Sequence, residues 1–282
     1  MIFTMRNMTL AFASLFIAST LYAQHDHPMP ATTSAAPASQ AQDWAKQRVD
    51  KSPRHHEWVS IKTPKTPSRT ISAFVVYPER ATKAPAVVVI HEIFGMSDWV
   101  QLMADEIAEA GYIAIAPDLL SGQSITDPTA IGKAIRDLPP DQITSDLIAT
   151  ADYVSKLPAA SGRVAAAGFC WGGGQAFRFA TNWPYLAAAY VFYGPGPDNA
   201  DDVARIKAPV YGFYAGNDAR IGATVPATQE AMKKLGKTYE VHTYEGAGHG
   251  FMFAQGGANG ANLKAAQESW PVVLAALRKY LQ

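Results

Sequence analysis

Two nearly uninterrupted apolar runs, PAVVVIHE at 85–92 and RVAAAGFC at 163–170, constrain the fold of this chain more than any other feature. A strand buried on one face alternates apolar with polar residues, whereas a strand of a parallel sheet is covered on both faces and is continuously apolar. Both runs are therefore predicted to be central strands of a parallel sheet. Such a sheet requires crossover connections, which are usually helices.

Further strand-like runs and helical patterns alternate along the chain, which is typical of the α/β class. About eight strands are predicted, at 55–61, 71–77, 86–91, 112–116, 164–168, 187–193, 209–215 and 239–244. Helices are predicted between most of them, at 99–110, 141–156, 173–181, 226–235 and 263–281. Because no helix separates the first two strands, we expect antiparallel first strands in a mostly parallel sheet with helices on both faces.

The first 42 residues lie outside this alternation. Residues 1–23 carry a single charge, Arg6, then an apolar run shorter than the ~20 residues that a transmembrane helix needs, and end at the small residue Ala23. This is the pattern of a secretory signal peptide, so we expect a secreted or periplasmic protein that is not membrane-bound after cleavage. Residues 24–42 are rich in Ala, Ser, Thr and Pro and are predicted to be a disordered tether. Residues 43–282 suit one domain.

Composition excludes several classes of protein. Hydrophobic residues make up 48% and charged residues 17%, which is unlike a disordered chain. The formal net charge is zero, so the chain lacks the basic character expected of a nucleic-acid-binding protein. A single cysteine, Cys170, excludes an intramolecular disulfide and a multi-cysteine metal site.

Cys170 lies in Gly168-Phe169-Cys170-Trp171-Gly172, between an apolar run and a helical pattern rich in Gly and Ala. This spacing is that of the nucleophile elbow, with cysteine at the position more often held by serine. The turn is sharp, and the flanking glycines are needed because side chains there would crowd the backbone. The N-terminus of the following helix supplies N–H groups that favour a thiolate and a developing oxyanion. We predict a nucleophile here, although a lone cysteine is more often a small core residue.

Two residues follow Cys170 in the order expected for the acid and the histidine of a catalytic triad on this type of sheet. Asp218 comes just after the strand predicted at 209–215, and His249 lies in a glycine-rich loop after the strand at 239–244. A histidine in such a loop can donate from Nδ1 to an acid and accept a proton at Nε2. Each residue alone fits a turn or a surface loop, but the three in this order predict a triad.

The segment His91-Glu92-Ile93-Phe94-Gly95 directly follows the first apolar run. A loop at this place normally provides a second oxyanion N–H donor. Glu92 is unusual, because a carboxylate at the end of a buried strand costs free energy unless it has a partner; the alternative is an exposed acid. His91 is interpreted as a packed or hydrogen-bonded residue rather than a ligand.

Together HEIFG, GFCWGG, the aspartate of AGNDARI and the histidine of GAGHGF resemble the dienelactone hydrolase family of α/β-hydrolases, over about residues 55–282. The pairing of Glu92 with Cys170 is the most specific part of the resemblance. It implies that Cys170 is the nucleophile, His249 the base and Asp218 the residue that orients it. It further implies that Glu92 contacts the resting thiol and helps to form the thiolate. Backbone N–H groups of Ile93 and Trp171 would form the oxyanion hole.

The resemblance also implies the reaction and its partners. A small ester or enol-lactone would be hydrolysed through a thioester, with no metal or organic cofactor; we expect a monomer. The arginines that bind the substrate carboxylate in dienelactone-cleaving members are missing, since Gly122 stands near the first position and none follows His249. Arg136 or Arg220 could replace them. A pocket with Trp171, Phe251 and Phe253 at its rim would instead suit an apolar or aromatic acyl group.

Three alternatives stay open. The chain could be a carboxylesterase that acts on activated aromatic or short-chain esters. It could also be a non-catalytic ligand-binding α/β module, although nucleophile, acid, histidine and Glu92 are all present. Third, it could be a thiol redox sensor that uses Cys170, although the chain has no second cysteine to form a disulfide with the oxidised thiol.

Overall fold

The computed structural model describes residues 40–64, 68–123, 125 and 127–282. The signal peptide predicted at 1–23 and residues 24–39 of the predicted tether lie outside this range. The first helix begins at Gln40, so the last three residues of the segment predicted as a tether are helical. Within the described residues, no helix combines the length and apolar character needed to cross a membrane.

The centre of the fold is an eight-stranded sheet with the order β1-β2-β4-β3-β5-β6-β7-β8. The strands are β1 His56–Lys62, β2 Thr70–Val76, β3 Ala84–Ile90, β4 Ile113–Pro117, β5 Ala160–Phe169, β6 Ala189–Phe192, β7 Val210–Ala215 and β8 Tyr239–Tyr244. Strand β2 pairs antiparallel with both β1 and β4, and the remaining neighbours are parallel. The predicted α/β class and mostly parallel sheet are confirmed.

Helices cover both faces of this sheet. The α-helices of the described residues are α1 Gln40–Asp50, α2 Asp98–Glu109, α3 Pro128–Arg136, α4 Pro140–Ser155, α5 Trp171–Asn182, α6 Ala200–Arg205, α7 Ala219–Gly222, α8 Val225–Lys234 and α9 Ala261–Leu281. The five predicted helices correspond to α2, α4, α5, α8 and α9. Sequence analysis missed the other four, of which α6 and α7 are shorter than two turns.

Two hydrophobic cores explain why the central strands are apolar throughout. In β3, Val87 and Val89 belong to the core on one face, and Val88 and Ile90 to the core on the other; all four are fully buried. Successive side chains of a strand point to opposite faces, so a strand with helices on both sides has no solvent-facing position. The carboxyl ends of β3, β5 and β7 therefore lie in buried strands, and the partly exposed β8 pairs with β7 at the edge of the sheet.

Candidate active site

Cys170 occupies the sharp turn between β5 and α5. Its backbone has φ 56° and ψ −117°, a conformation that side-chain-bearing residues rarely adopt. The amide N–H of Cys170 donates to the carbonyl of Phe192 in β6 at 3.0 Å, and α5 begins at the next residue. The strand before and the helix after Cys170 therefore hold it in a strained conformation of the kind found at functional sites.

The two glycines of the elbow are required by close backbone contacts. A Cβ at Gly168 would overlap the carbonyl oxygen of Gly172. A Cβ at Gly172 would overlap the carbonyl oxygen of Ile90 and lie 2.5 Å from that of His91. This agrees with the prediction that side chains here would crowd the backbone, and it shows that the elbow packs directly on the end of β3.

The structure brings the three predicted triad residues together. Nε2 of His249 lies 3.1 Å from Sγ of Cys170, and Nδ1 of His249 lies 2.5 Å from Oδ2 of Asp218. The carboxylate can only accept, so Nδ1 carries the proton and Nε2 is free to accept one from the thiol. The arrangement can thus transfer a proton between sulfur and imidazole while the aspartate holds the ring.

Local hydrogen bonds fix the loops that carry the acid and the base. Oδ1 of Asp218 accepts the amide N–H of Ile221 at 3.3 Å and caps α7, which leaves Oδ2 for the histidine. The amide N–H of Gly248, next to His249, donates to Oδ1 of Asn262 at 2.7 Å. Helix caps and side-chain acceptors of this kind satisfy loop donors that would otherwise lack partners.

Burial controls the charge of the resting site. Burial, and next the nearby carboxyl of Glu92, raise the pKa of the Cys170 thiol to about 11, although the N–H of Trp171 hydrogen-bonds the sulfur and acts in the opposite direction. Burial raises the pKa of Glu92, which is only 3% exposed, to about 8. At neutral pH both groups are therefore predominantly protonated before substrate arrives.

Glu92 is buried, so the alternative of an exposed acid is wrong. The hydrogen-bond partner of Sγ on a neighbouring side chain is His249, and among the described residues no hydrogen bond joins Glu92 to Cys170. Glu92 instead acts on the thiol through its electrostatic influence on the pKa. The resting contact implied by the resemblance is therefore not a hydrogen bond, and the catalytic role of Glu92 stays a prediction.

The two N–H groups expected to form an oxyanion hole differ in their resting partners. The N–H of Ile93 has no acceptor among the described residues. The N–H of Trp171, the first residue of α5, has no partner within the helix and hydrogen-bonds the sulfur of Cys170. Backbone donors beside a nucleophile can stabilise the negative oxygen of a tetrahedral intermediate.

Aromatic side chains surround the triad, but not all of them as expected. Phe253 is half-buried and lies 5.8 Å, centroid to centroid, from the exposed Phe94. Trp171 is also half-buried. Phe251 is fully buried and packs on Tyr193 at 5.2 Å, so its predicted place at the pocket rim is wrong: it is part of the core beneath the site.

Tyr193 is a site residue that sequence analysis missed. It is fully buried, has a φ of 41°, and its ring lies edge-on to His249 with 5.1 Å between centroids. Phe94, at the exposed end of the HEIFG segment, was likewise not singled out for substrate contact. Only the glycine after Tyr193 hints at a special turn, because a strand end gives no other signal of strain.

The amino-acid sequence of this chain matches one family of known proteins. Residues 71–281 match the dienelactone hydrolase family. A relative from Saccharolobus solfataricus, provisionally named carboxymethylenebutenolidase, is 32% identical over 248 residues, which cover 74% of this chain and 94% of the relative. A Yersinia pestis protein with the same provisional name is 33% identical over 197 residues, covering 64% of this chain and 74% of that one.

Solved structures of dienelactone hydrolases share the fold of this chain. A provisionally named dienelactone hydrolase from Klebsiella pneumoniae superposes with a TM-score of 0.70 at 26% identity, over 80% of this chain and all of that one. A dienelactone hydrolase from Anabaena variabilis superposes with a TM-score of 0.62 at 17% identity, over 81% of this chain and 99% of that one. The second likeness concerns the fold alone.

Proposed function

We propose, from the premise that this chain belongs to the dienelactone hydrolase family, that it hydrolyses ester or enol-lactone bonds through Cys170, His249 and Asp218. The observation that carries the proposal is the continuous relay from Sγ of Cys170 through both nitrogens of His249 to Oδ2 of Asp218, with distances of 3.1 and 2.5 Å. The relay begins at a strained elbow and ends at a buried acid, as nucleophilic catalysis requires.

The first half of the reaction forms a thioester. Nε2 of His249 accepts the thiol proton while Sγ of Cys170 attacks the carbonyl carbon, forming a C–S bond and a negatively charged oxygen. The N–H groups of Ile93 and Trp171 stabilise that oxygen. When the tetrahedral intermediate collapses, the C–O bond to the leaving group breaks, and the imidazolium returns its proton to the departing oxygen.

The second half of the reaction releases the acid. His249 takes a proton from water, whose oxygen attacks the thioester carbonyl, and the C–S bond then breaks. The sulfur recovers a proton from His249 and the carboxylic acid leaves. A thiolate is itself a good leaving group, so an activated ester or enol ester suits cysteine better than an ester of a simple alcohol does. The thiol proton goes to His249, and Glu92 is proposed to influence thiolate formation through the effect of its nearby buried carboxyl on the pKa of Cys170.

The aromatic surroundings favour esters of aromatic or short-chain acids over a carboxylate-bearing lactone. Phe94 follows Ile93 in the chain and Phe253 lies four residues after His249, so this pair of rings, 5.8 Å apart, offers apolar contact area on the loops that carry the site. No arginine lies between Gly250 and Phe253. Among the described residues, the arginine whose charge acts on Cys170 is Arg220, which is exposed on α7 two residues after Asp218. Arg220 is accordingly the residue that would bind a substrate carboxylate if a dienelactone is the substrate.

The test compares an activated aryl ester with a dienelactone, each with and without prior iodoacetamide, in the wild type and in Cys170→Ala and Cys170→Ser. We expect iodoacetamide and Cys170→Ala to abolish hydrolysis of the aryl ester. Loss of dienelactone hydrolysis alone in Arg220→Gln would support the carboxylate contact. Full activity in Cys170→Ala would contradict the cysteine mechanism, and a wild type that binds esters without turnover would favour the ligand-binding alternative.

Export is the second part of the proposal and rests on the sequence of residues 1–23. The full chain expressed in a Gram-negative host should be recovered from the periplasm with a new N-terminus near residue 24. A chain that begins at residue 24 should stay in the cytoplasm. Recovery of uncleaved full chain from the membrane fraction would contradict cleavage and indicate an anchor.

A further inference from the structure

His91 is a fully buried histidine between the end of β3 and Glu92, and the proposed reaction gives it no role. Its Nδ1 lies 2.8 Å from the carbonyl oxygen of Glu92. Its Nε2 accepts the amide N–H of Leu119 at 3.4 Å. Its ring stacks on the indole of Trp171, with 5.7 Å between centroids and 16° between planes. Three contacts on three sides leave the imidazole one orientation.

These neighbours also determine which nitrogen carries the proton. The amide N–H of Leu119 can only donate, so Nε2 must be unprotonated, and the carbonyl of Glu92 can only accept, so Nδ1 must carry hydrogen. Burial lowers the pKa of His91, which keeps the ring neutral in this tautomer. The donor to the Glu92 carbonyl is therefore permanent across the neutral pH range.

The carbonyl that His91 holds belongs to the same peptide unit as the N–H of Ile93. A peptide unit is planar and trans, so its C=O and N–H point in opposite directions, and fixing one fixes the other. The amide N–H of Gly95 donates to the same Glu92 oxygen at 3.3 Å. With two donors on its oxygen the peptide is more polarised, and its N–H becomes a stronger donor.

Besides the contacts of its two nitrogens, the imidazole packs with its ring face against Trp171, which supplies the second N–H donor. Trp171 stacks on the ring and begins α5. The carbonyl oxygen of His91 itself lies where a Cβ of Gly172 would be only 2.5 Å away. One side chain thus connects the end of β3, which carries Ile93, with the elbow, which carries Cys170 and Trp171.

We infer that His91 is a positioning residue of the oxyanion hole, which sets the direction of the Ile93 N–H through the Glu92 carbonyl and the spacing to Trp171 through its ring. The inference rests on the proposed hydrolase function. It concerns only the stabilisation of the tetrahedral oxyanion, because the hydrogen bonds and ring stacking of His91 involve Glu92, Leu119 and Trp171.

The test uses His91→Leu, which removes both nitrogens, and His91→Asn, whose amide NH₂ stands near the former Nδ1. Removing an oxyanion donor costs about 10²- to 10³-fold in kcat, so a misdirected donor in His91→Leu should lower kcat for an aryl ester by about 10- to 100-fold. The KM should change by less than about threefold. His91→Asn should recover a large part of kcat, since it can still donate to the Glu92 carbonyl.

The rate at which iodoacetamide alkylates Cys170 distinguishes a positioning role of His91 from a general disturbance of the site. Alkylation at a saturated carbon develops no oxyanion, so the rate at which iodoacetamide modifies Cys170 should stay within about twofold of the wild type in both variants. Asp218→Asn, which disturbs the base, should lower both hydrolysis and alkylation. Thr150→Val is the control for loss of stability, because it removes another fully buried side-chain hydrogen bond, from the Thr150 hydroxyl to the Asp146 carbonyl. Its rate of ester hydrolysis should equal that of the wild type.

Either of two kinetic results would overturn the inference: a folded His91→Leu with the kcat of the wild type, or a His91 variant that loses hydrolysis and alkylation in parallel. If His91→Leu does not fold, nitrogen NMR of the wild type tests the inference instead, because it shows which nitrogen of His91 carries the proton. A proton on Nε2 would contradict the inference. A wild type that hydrolyses no ester, although its Cys170 is alkylated, would overturn the proposed function and the inference with it. If the wild type hydrolyses esters and the His91 variants keep its kcat, the inference alone is overturned and the proposed function stands.

Discussion

Nε2 of His249 lies 3.1 Å from Sγ of Cys170, although 79 residues separate them in sequence. Cys170 directly follows β5 and His249 follows β8, and two strands, β6 and β7, lie between these strands in the sheet. The loop after β8 must therefore cross back over the carboxyl edge of the sheet, passing Asp218 at the end of β7. Open α/β sheets bind their ligands at this edge.

Asp218→Asn should lower kcat by about 10²- to 10⁴-fold, because an amide can present its NH₂ to Nδ1 and favour the unproductive tautomer of His249. The fold should survive, since the asparagine oxygen can still cap α7 by accepting the amide N–H of Ile221. Steady-state kinetics and thermal melting check the two halves of this prediction. A variant that keeps more than a tenth of the activity would argue against a triad role for Asp218.

Glu92→Gln should change how stability depends on pH. The pKa of Glu92 is raised to about 8 by burial, so the folded protein keeps a proton that the unfolded chain loses near its ordinary value of 4.5. Folding thus takes up a proton between these two pH values, and the wild type loses stability as the pH rises from about 5 to 8. Glutamine cannot ionise and removes this loss.

The stability difference between Glu92→Gln and wild type should therefore grow with pH, by at most about 1.4 kcal/mol per pH unit. Urea denaturation at a series of pH values measures it. Glu230→Gln, at an exposed position in α8, is the matched control. A difference that stays constant from pH 5 to 8 would show that Glu92 is ionised in the folded protein.

Gly172→Ala should destabilise the fold by about 3 kcal/mol or more, because its Cβ would overlap the backbone of Ile90, which cannot move away as a side chain can. Gly222→Ala is a fitting control, since a Cβ there meets nothing within 4 Å and alanine is the better helix former. Chemical denaturation of both variants provides the comparison. Equal stabilities would mean that the elbow is looser than the structure describes.

Phe253→Leu should raise KM for an ester of a bulky aromatic acid by about 10-fold, the order of effect expected for lost contact area in an apolar pocket. The kcat/KM for the corresponding acetyl ester should remain within about threefold. Phe253 lies against Phe94 at 5.8 Å and Trp99 at 5.7 Å, so leucine keeps much of the packing beneath it. Equal effects on both esters would indicate that Phe253 supports the fold without contacting substrate.

Much of the fold could be predicted because its signals are local. The central strands β3 and β5 follow from apolar runs, and the elbow follows from two glycines around Cys170. Helix α1 was missed because its sequence is polar and follows a tether-like segment; it is held by contacts with α2 through Ala45 and Val49. Such a helix depends on a partner far away in the sequence, which no local pattern reveals.

The sequence by itself determined the α/β class and identified Cys170, Asp218 and His249, in that chain order, as candidate triad residues. It could do so because hydrophobic periodicity and turn-forming residues are properties of neighbouring positions in the chain. Only the tertiary structure decided the environment of each group: the buried Glu92, the tautomer of His91, the core position of Phe251 and the strained Tyr193. Burial and hydrogen-bond partners depend on residues that are distant in the chain, and these two properties set the charge and orientation of the groups in the site.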